Sequence, residues 1–60
     1  MKAGEIQNYA RQLFEQHGSK AIAEAAQKAL SFEEAGDDAQ ARTWRQIELA
    51  LKERRGAHES

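Results

Sequence analysis

The sequence contains no cysteine and no proline, and among its 60 residues it has only four glycines, two phenylalanines, one tyrosine and one tryptophan. Without cysteine, disulfides and thiolate zinc sites are excluded. Valine is also absent, and Ile6, Ile22, Thr43 and Ile47 are the β-branched residues. A sheet therefore has almost no material to form from. No apolar run approaches the roughly 18 residues of a membrane span. Met1-Lys2-Ala3-Gly4-Glu5 leads into a polar amphipathic segment rather than the apolar core of a signal peptide. The location expected by default is the cytoplasm. The formal net charge of -1 argues against a chain built as a whole to attract a polyanion.

What fills the sequence is alanine, glutamate, glutamine, lysine, arginine and leucine, the strong helix formers. They fall into three periodic segments punctuated by Gly18 and Gly36. In the first, over residues 4–17, Ile6, Tyr9, Ala10, Leu13, Phe14 and His17 share one stripe at i, i+3, i+4 spacing. Gly18 stands where a left-handed C-terminal residue belongs, and Ser19 is placed to cap the next helix. The second segment, 20–35, has an alanine-rich face of Ala21, Ile22, Ala25, Ala26, Ala29, Leu30 and Phe32. Small side chains let a neighbouring helix approach closely. Lys20–Glu24 and Glu24–Lys28 are candidate i, i+4 pairs on its outer side. After Gly36, Asp37 is placed to cap a third helix over 38–55, with Gln40 three residues on as in a capping box. Its stripe is Gln40, Ala41, Trp44, Ile47, Leu51 and Arg54, flanked by Ala50. Lys52, Arg54 and Arg55 suit its negative end, and Gly56 closes it.

Both connections are short, which favours antiparallel neighbours. The expectation is an all-α, three-helix up-down-up bundle forming a single domain over 1–56, with 57–60 as a disordered tail. The rival is a long first helix merely kinked at Gly18, with two chains supplying a four-helix core. In either case the interior is thin. Its large apolar side chains are Ile6, Tyr9, Leu13, Phe14, Ile22, Leu30, Phe32, Trp44, Ile47, Leu49 and Leu51. Domains of this size commonly add a disulfide, a metal or a second subunit. With cysteine absent, self-association is the expected supplement.

Catalysis needs convergent polar groups in a pocket that excludes water, and the sequence supplies no such set. Ser19, Ser31 and Ser60 lie in a cap, a helix and a tail, without a glycine-flanked elbow. His17, on the apolar stripe at a helix end, reads as a partly buried residue favoured by the helix dipole. His58 falls in the tail. The Glu-x-x-His pattern of helical di-metal sites does not occur. Glu33, Glu34, Asp37 and Asp38 cluster at the second turn, where capping accounts for the aspartates. No catalytic, cofactor-binding or metal-ligating residue is assigned, and no small-molecule substrate is indicated.

The expected activity is therefore that of a non-enzymatic interaction module, an adaptor or regulator whose partner is a second copy or another protein. The candidate interface residues are Ala25, Ala29, Phe32, Trp44, Leu49, Arg42 and Arg45. Tryptophan and arginine are enriched at such places. The alternative is nucleic-acid binding through Arg42, Arg45, Lys52 and Arg55. It is disfavoured by the net charge and by the pairings Asp38–Arg42 and Glu48–Lys52.

From Ala25 to Leu51 the pattern resembles a single degenerate tetratricopeptide-type helix pair. Ala29, Phe32, Gly36 and Ala41 stand at that repeat's small, aromatic, glycine and alanine positions. Arg45 stands where the repeat has an aromatic, and Glu48 where it has a small residue. The resemblance implies a tight helical hairpin. The chain as a whole resembles small helical bacterial proteins, a likeness that implies no function.

Overall fold

A computed structural model of the chain describes residues 2–56. Among them are three helices and no strand: α1 (Ala3–His17), α2 (Lys20–Ala35) and α3 (Asp38–Gly56). The all-α bundle implied by the periodicity is what forms. The expected tail, 57–60, lies outside the described residues.

The two turns differ in chemistry. Gly36 is left-handed at φ 79°, ψ 14°. Its N–H donates to the Glu33 carbonyl at 3.2 Å, and that of Asp37 to the Phe32 carbonyl at 2.9 Å. This is a Schellman ending, which satisfies carbonyls that would otherwise lack partners. Asp37 then starts α3, its Oδ1 accepting the Gln40 N–H at 3.2 Å. Half of the expected capping box is thus made. The Asp37 N–H already serves the Schellman bond, so the reciprocal half is not needed.

Gly18 has φ 62° but ψ -145°, outside the left-handed helical well. Its N–H donates to the Phe14 carbonyl at 2.7 Å. The positive φ breaks the chain into two helices, so a continuous first helix with a kink is not what forms. Ser19 does not cap α2 with its side chain. It is itself helical at φ -67°, ψ -15°, so its hydroxyl is not placed to reach back to the first-turn N–H groups. At the start of α1, Glu5 accepts the Lys2 N–H at 3.3 Å.

The core is built on α2 meeting α3. Ala21, Ala25 and Ala29 have no exposed surface, and opposite them Ile47 and Leu51 are fully buried, with Ala41 and Ala50 nearly so. α1 adds Ile6 and Ala10, while Tyr9, Leu13, Phe14, Ile22 and Trp44 pack partly buried around this centre. α1 rests mainly on α3, and only lightly on the helix to which it is joined. The alanine seam of α2 is already occupied by α3. Ile6 accordingly lies beside Gln46, Leu49 and Ala50.

Two core assignments from sequence change. Leu30 is 44% exposed. It sits one residue, about 100° of helix rotation, past Ala29, which turns it away from the seam. His17 is exposed rather than partly buried, at the rim where α1 turns into α2.

Gly36→Ala meets no neighbouring atom, so its penalty is backbone strain alone. A loss of about 1–2 kcal/mol is expected. Leu51→Ala removes a large, fully buried side chain, at a cost of about 2–5 kcal/mol. Urea titration followed by circular dichroism checks both. Leu51→Ala should abolish a cooperative transition or shift it far more than Gly36→Ala.

Candidate functional site

Among the described residues, Leu30 on α2 and Leu49 on α3 are the large apolar side chains left exposed, at 44% and 58%. His17 Nδ1 is 3.8 Å from Glu24 Oε2. The Trp44 ring meets Tyr9 edge-on, with centroids 5.7 Å apart at 76°, and Lys28 Nζ lies 5.8 Å from the Trp44 centroid. Glu24 and Lys28 thus mark the α1 side of α2, and Leu30 projects from the other. There it lines a groove of about 330 Å³ with Ala23, Ala26, Gln27 and Arg45. Leu49 projects from the outer surface of α3. One flank borders Ile6, and the other stands one helical turn past Arg45.

A chain of ion pairs runs between the two leucines. Arg45 binds Glu33 across the hairpin with two parallel bonds, Nε to Oε2 and Nη2 to Oε1, each 3.1 Å. Its Nη1 donates to Glu48 Oε1 at 3.0 Å. Glu48 Oε2 in turn lies 3.3 Å from Lys52 Nζ. The fork of the guanidinium matches a carboxylate edge, which fixes Arg45 in one geometry. The hydrogen bond from Arg45 holds the Glu33 carboxyl below its usual pKa. Bonds to both carboxylates raise the pKa of Arg45. Partial burial opposes the charge on Glu48, but hydrogen bonds from Arg45 and Lys52 outweigh it, and its pKa is also lowered.

The residues expected to form an interface divide into three groups. Ala25 and Ala29 are wholly covered by the chain's own helices, so a second chain reaches them only by opening the bundle. Phe32 and Trp44 are half-buried, Trp44 as the contact between α1 and α3. Leu49, Arg42 and Arg45 are on the surface. Periodicity does not mark Leu30 as a surface residue, because its place on the helix also fits a broad apolar face. Of the basic residues assigned to nucleic acid, Arg45 and Lys52 are paired with carboxylates, while Arg42 and Arg55 are exposed. The local pairs Lys20–Glu24, Glu24–Lys28 and Asp38–Arg42 are not among the ion pairs of the described residues; Glu48–Lys52 is. Glu24 faces His17 instead.

A larger groove, about 500 Å³, is lined by Tyr9, Ala39, Gln40, Thr43, Trp44 and Ile47. The Thr43 hydroxyl donates to the Ala39 carbonyl at 3.1 Å, and no carboxylate, histidine or lysine lines the groove beside it. Among the described residues, no group of three histidine, aspartate or glutamate side chains is placed to hold a metal ion. No helix among them is long and apolar enough to cross a membrane.

Compared with protein-family models, curated proteins and solved structures, the chain matches none. Of the residues that carry the sequence resemblance to a tetratricopeptide-type hairpin, Ala29 and Ala41 are buried, Phe32 is half-buried and Gly36 is left-handed.

Glu33 and Glu48 have lowered pKa values in the folded chain, so at acid pH the unfolded chain binds more protons. Their stabilisation is complete above the ordinary glutamate range of about pH 4–5, and it is lost as pH falls through the depressed values. The thermal midpoint of the native chain should therefore fall more steeply below about pH 4.5 than that of Arg45→Met. Melting curves over a pH series check this. Parallel profiles for the two proteins would show that the Arg45 network carries no linkage.

Proposed function

We propose that this chain is a small non-enzymatic protein-interaction module, an adaptor or regulator. It would present the surface of the α2–α3 hairpin that carries Leu30 and Leu49. The observation that carries this reading is the exposure of both leucines around an ordered chain of ion pairs. A single exposed leucine is ordinary. Two leucines around a rigid polar centre form a surface with apolar anchors and defined charge positions, the combination that protein partners recognise.

The interior points the same way. Among the described residues, Ile47 and Leu51 are the large side chains that are fully buried, so the domain gains more than most from added apolar contact. Nucleic-acid binding finds less support. Arg45 and Lys52 already serve Glu33 and Glu48, and a phosphate must compete with those carboxylates.

Leu30→Glu and Leu49→Glu should leave helix content and stability within about 0.5 kcal/mol of native, while weakening every protein association the native chain shows. Circular dichroism and cross-linking from a photoreactive residue in place of Gln46, exposed beside Leu49, test this. Associations unchanged in both variants would sink the reading. So would salt-sensitive DNA or RNA binding, measured by filter retention at low ionic strength and weakened by Arg42→Ala.

A further inference from the structure

We infer that the Leu30 side of α2 is covered by a second copy of this chain, the two α2 helices lying antiparallel about a two-fold axis through Gln27. The inference rests on the interaction reading and specifies the partner for that one face.

Lys20, Ala23, Gln27, Leu30 and Glu34 follow one another at alternating steps of three and four residues, which sets them on one stripe of α2. All five are exposed. The stripe points away from α3, because the buried line of α2 runs through Ala21, Ala25 and Ala29. Grooves of about 330 and 460 Å³ flank it, and Ala23 and Gln27 line both. The stripe thus has a charge at each end, with one leucine, one alanine and one amide between them.

Among the described residues, neither Lys20 nor Glu34 belongs to an ion pair. They stand about 21 Å apart along the helix. A partner of one charge sign gains at one end and loses at the other. A second α2 running the opposite way gains at both. The partner's Glu34 meets Lys20, and the two-fold axis repeats the contact at the far end. Two parallel copies would set lysine against lysine and glutamate against glutamate.

The middle of the stripe fits the same register. With Gln27 on the axis, Leu30 falls between the partner's Ala23 and the partner's Gln27, and the small alanine leaves room for it. Gln27 meets its own copy. A side-chain amide both donates and accepts, so that pair satisfies itself. Every residue of the contact lies on one stripe of one helix, so the two-fold brings the stripe onto itself. Beside it, Arg45 is already bonded to Glu33 and carries no bare guanidinium into the contact.

The test is sedimentation equilibrium on the intact chain from about 10 μM to about 1 mM, which reads dissociation constants in that range. The native chain is expected to dimerise. Leu30→Glu places a charge in each of the two leucine contacts and should weaken the dimer at least about tenfold. Lys20→Glu and Glu34→Lys each set like charges together twice and should weaken it about tenfold. Both charge changes suit the dipole of α2, and circular dichroism confirms that every variant is folded. The chain carrying Lys20→Glu together with Glu34→Lys restores opposite charges at both ends. It should recover most of the native affinity, and it keeps the native net charge, so recovery reports the pairing itself.

A native chain that stays monomeric throughout overturns the inference. So do single charge variants that dimerise as tightly as the native chain, or a double variant no tighter than the single ones. A monomeric native chain that still cross-links a different protein from position 46 would remove the second copy while leaving the interaction reading in place. A monomer without such a cross-link would remove both.

Discussion

The closeness of α2 to α3 along Ala21, Ala25 and Ala29 governs the rest of this molecule. With nothing beyond a Cβ on that seam, α3 packs closely on α2, and its Ile47 and Leu51 become fully buried. The same closeness brings Glu33 within two-bond reach of Arg45 across the hairpin. It also leaves no room for a third helix on the seam. α1 must then find its contacts on the flank of α3, where Ile6 and Ala10 are buried and Tyr9 meets Trp44. One choice of small residues thus decides the pairing of helices, the place of the third and the surface row of charges.

That choice has a cost. Alanine buries little apolar area, so a close contact between helices contributes less per residue than one built on leucine. Nearly all the remaining large side chains sit around the rim, partly exposed. In such a molecule a surface leucine is a larger share of the available apolar material than in a bigger domain. The burial of Leu30 and Leu49 by another chain would add to a small total, so on the proposed reading the exposed side of the hairpin would matter for stability as well as for recognition.

The elements themselves were legible in the sequence because their signals are local. Gly18 and Gly36 mark a positive φ, Asp37 accepts a bond from Gln40, and the alanine spacing on α2 shows which side meets a neighbour. What was hidden depends on register between helices. The i, i+4 rule offers Lys20–Glu24, Glu24–Lys28 and Asp38–Arg42, yet Glu24 turns to His17 and the bidentate pairing joins residues 12 apart. No local rule reaches that far. Leu30 was hidden for a related reason. A face containing Ala26 and Phe32 admits it, and only the position of α3 decides that the buried line runs through Ala29. Ser19 fails as a cap because ψ at Gly18 carries the chain into the helix one residue earlier than the capping geometry requires.

Arg45 is where fold and surface meet. Its guanidinium spends one edge on Glu33 of α2 and its remaining reach on Glu48 of its own helix. The first bond reports the spacing of the two helices, and the second passes that geometry along α3 to Lys52 through Glu48. A larger side chain in place of Ala25 or Ala29 would push α3 outward. Such a change would disturb the charge row on the surface as well as the packing beneath it. Ala25 and Ala29, candidate interface residues in the sequence, are buried within the chain and support that surface from inside. In the proposed interaction module they would hold the surface in shape without touching a partner. A surface whose charges cancel cannot draw a partner from a distance by net attraction. On the proposed reading it would select at contact, through the order in which the charges stand, and that order is only as rigid as the alanine seam that fixes it.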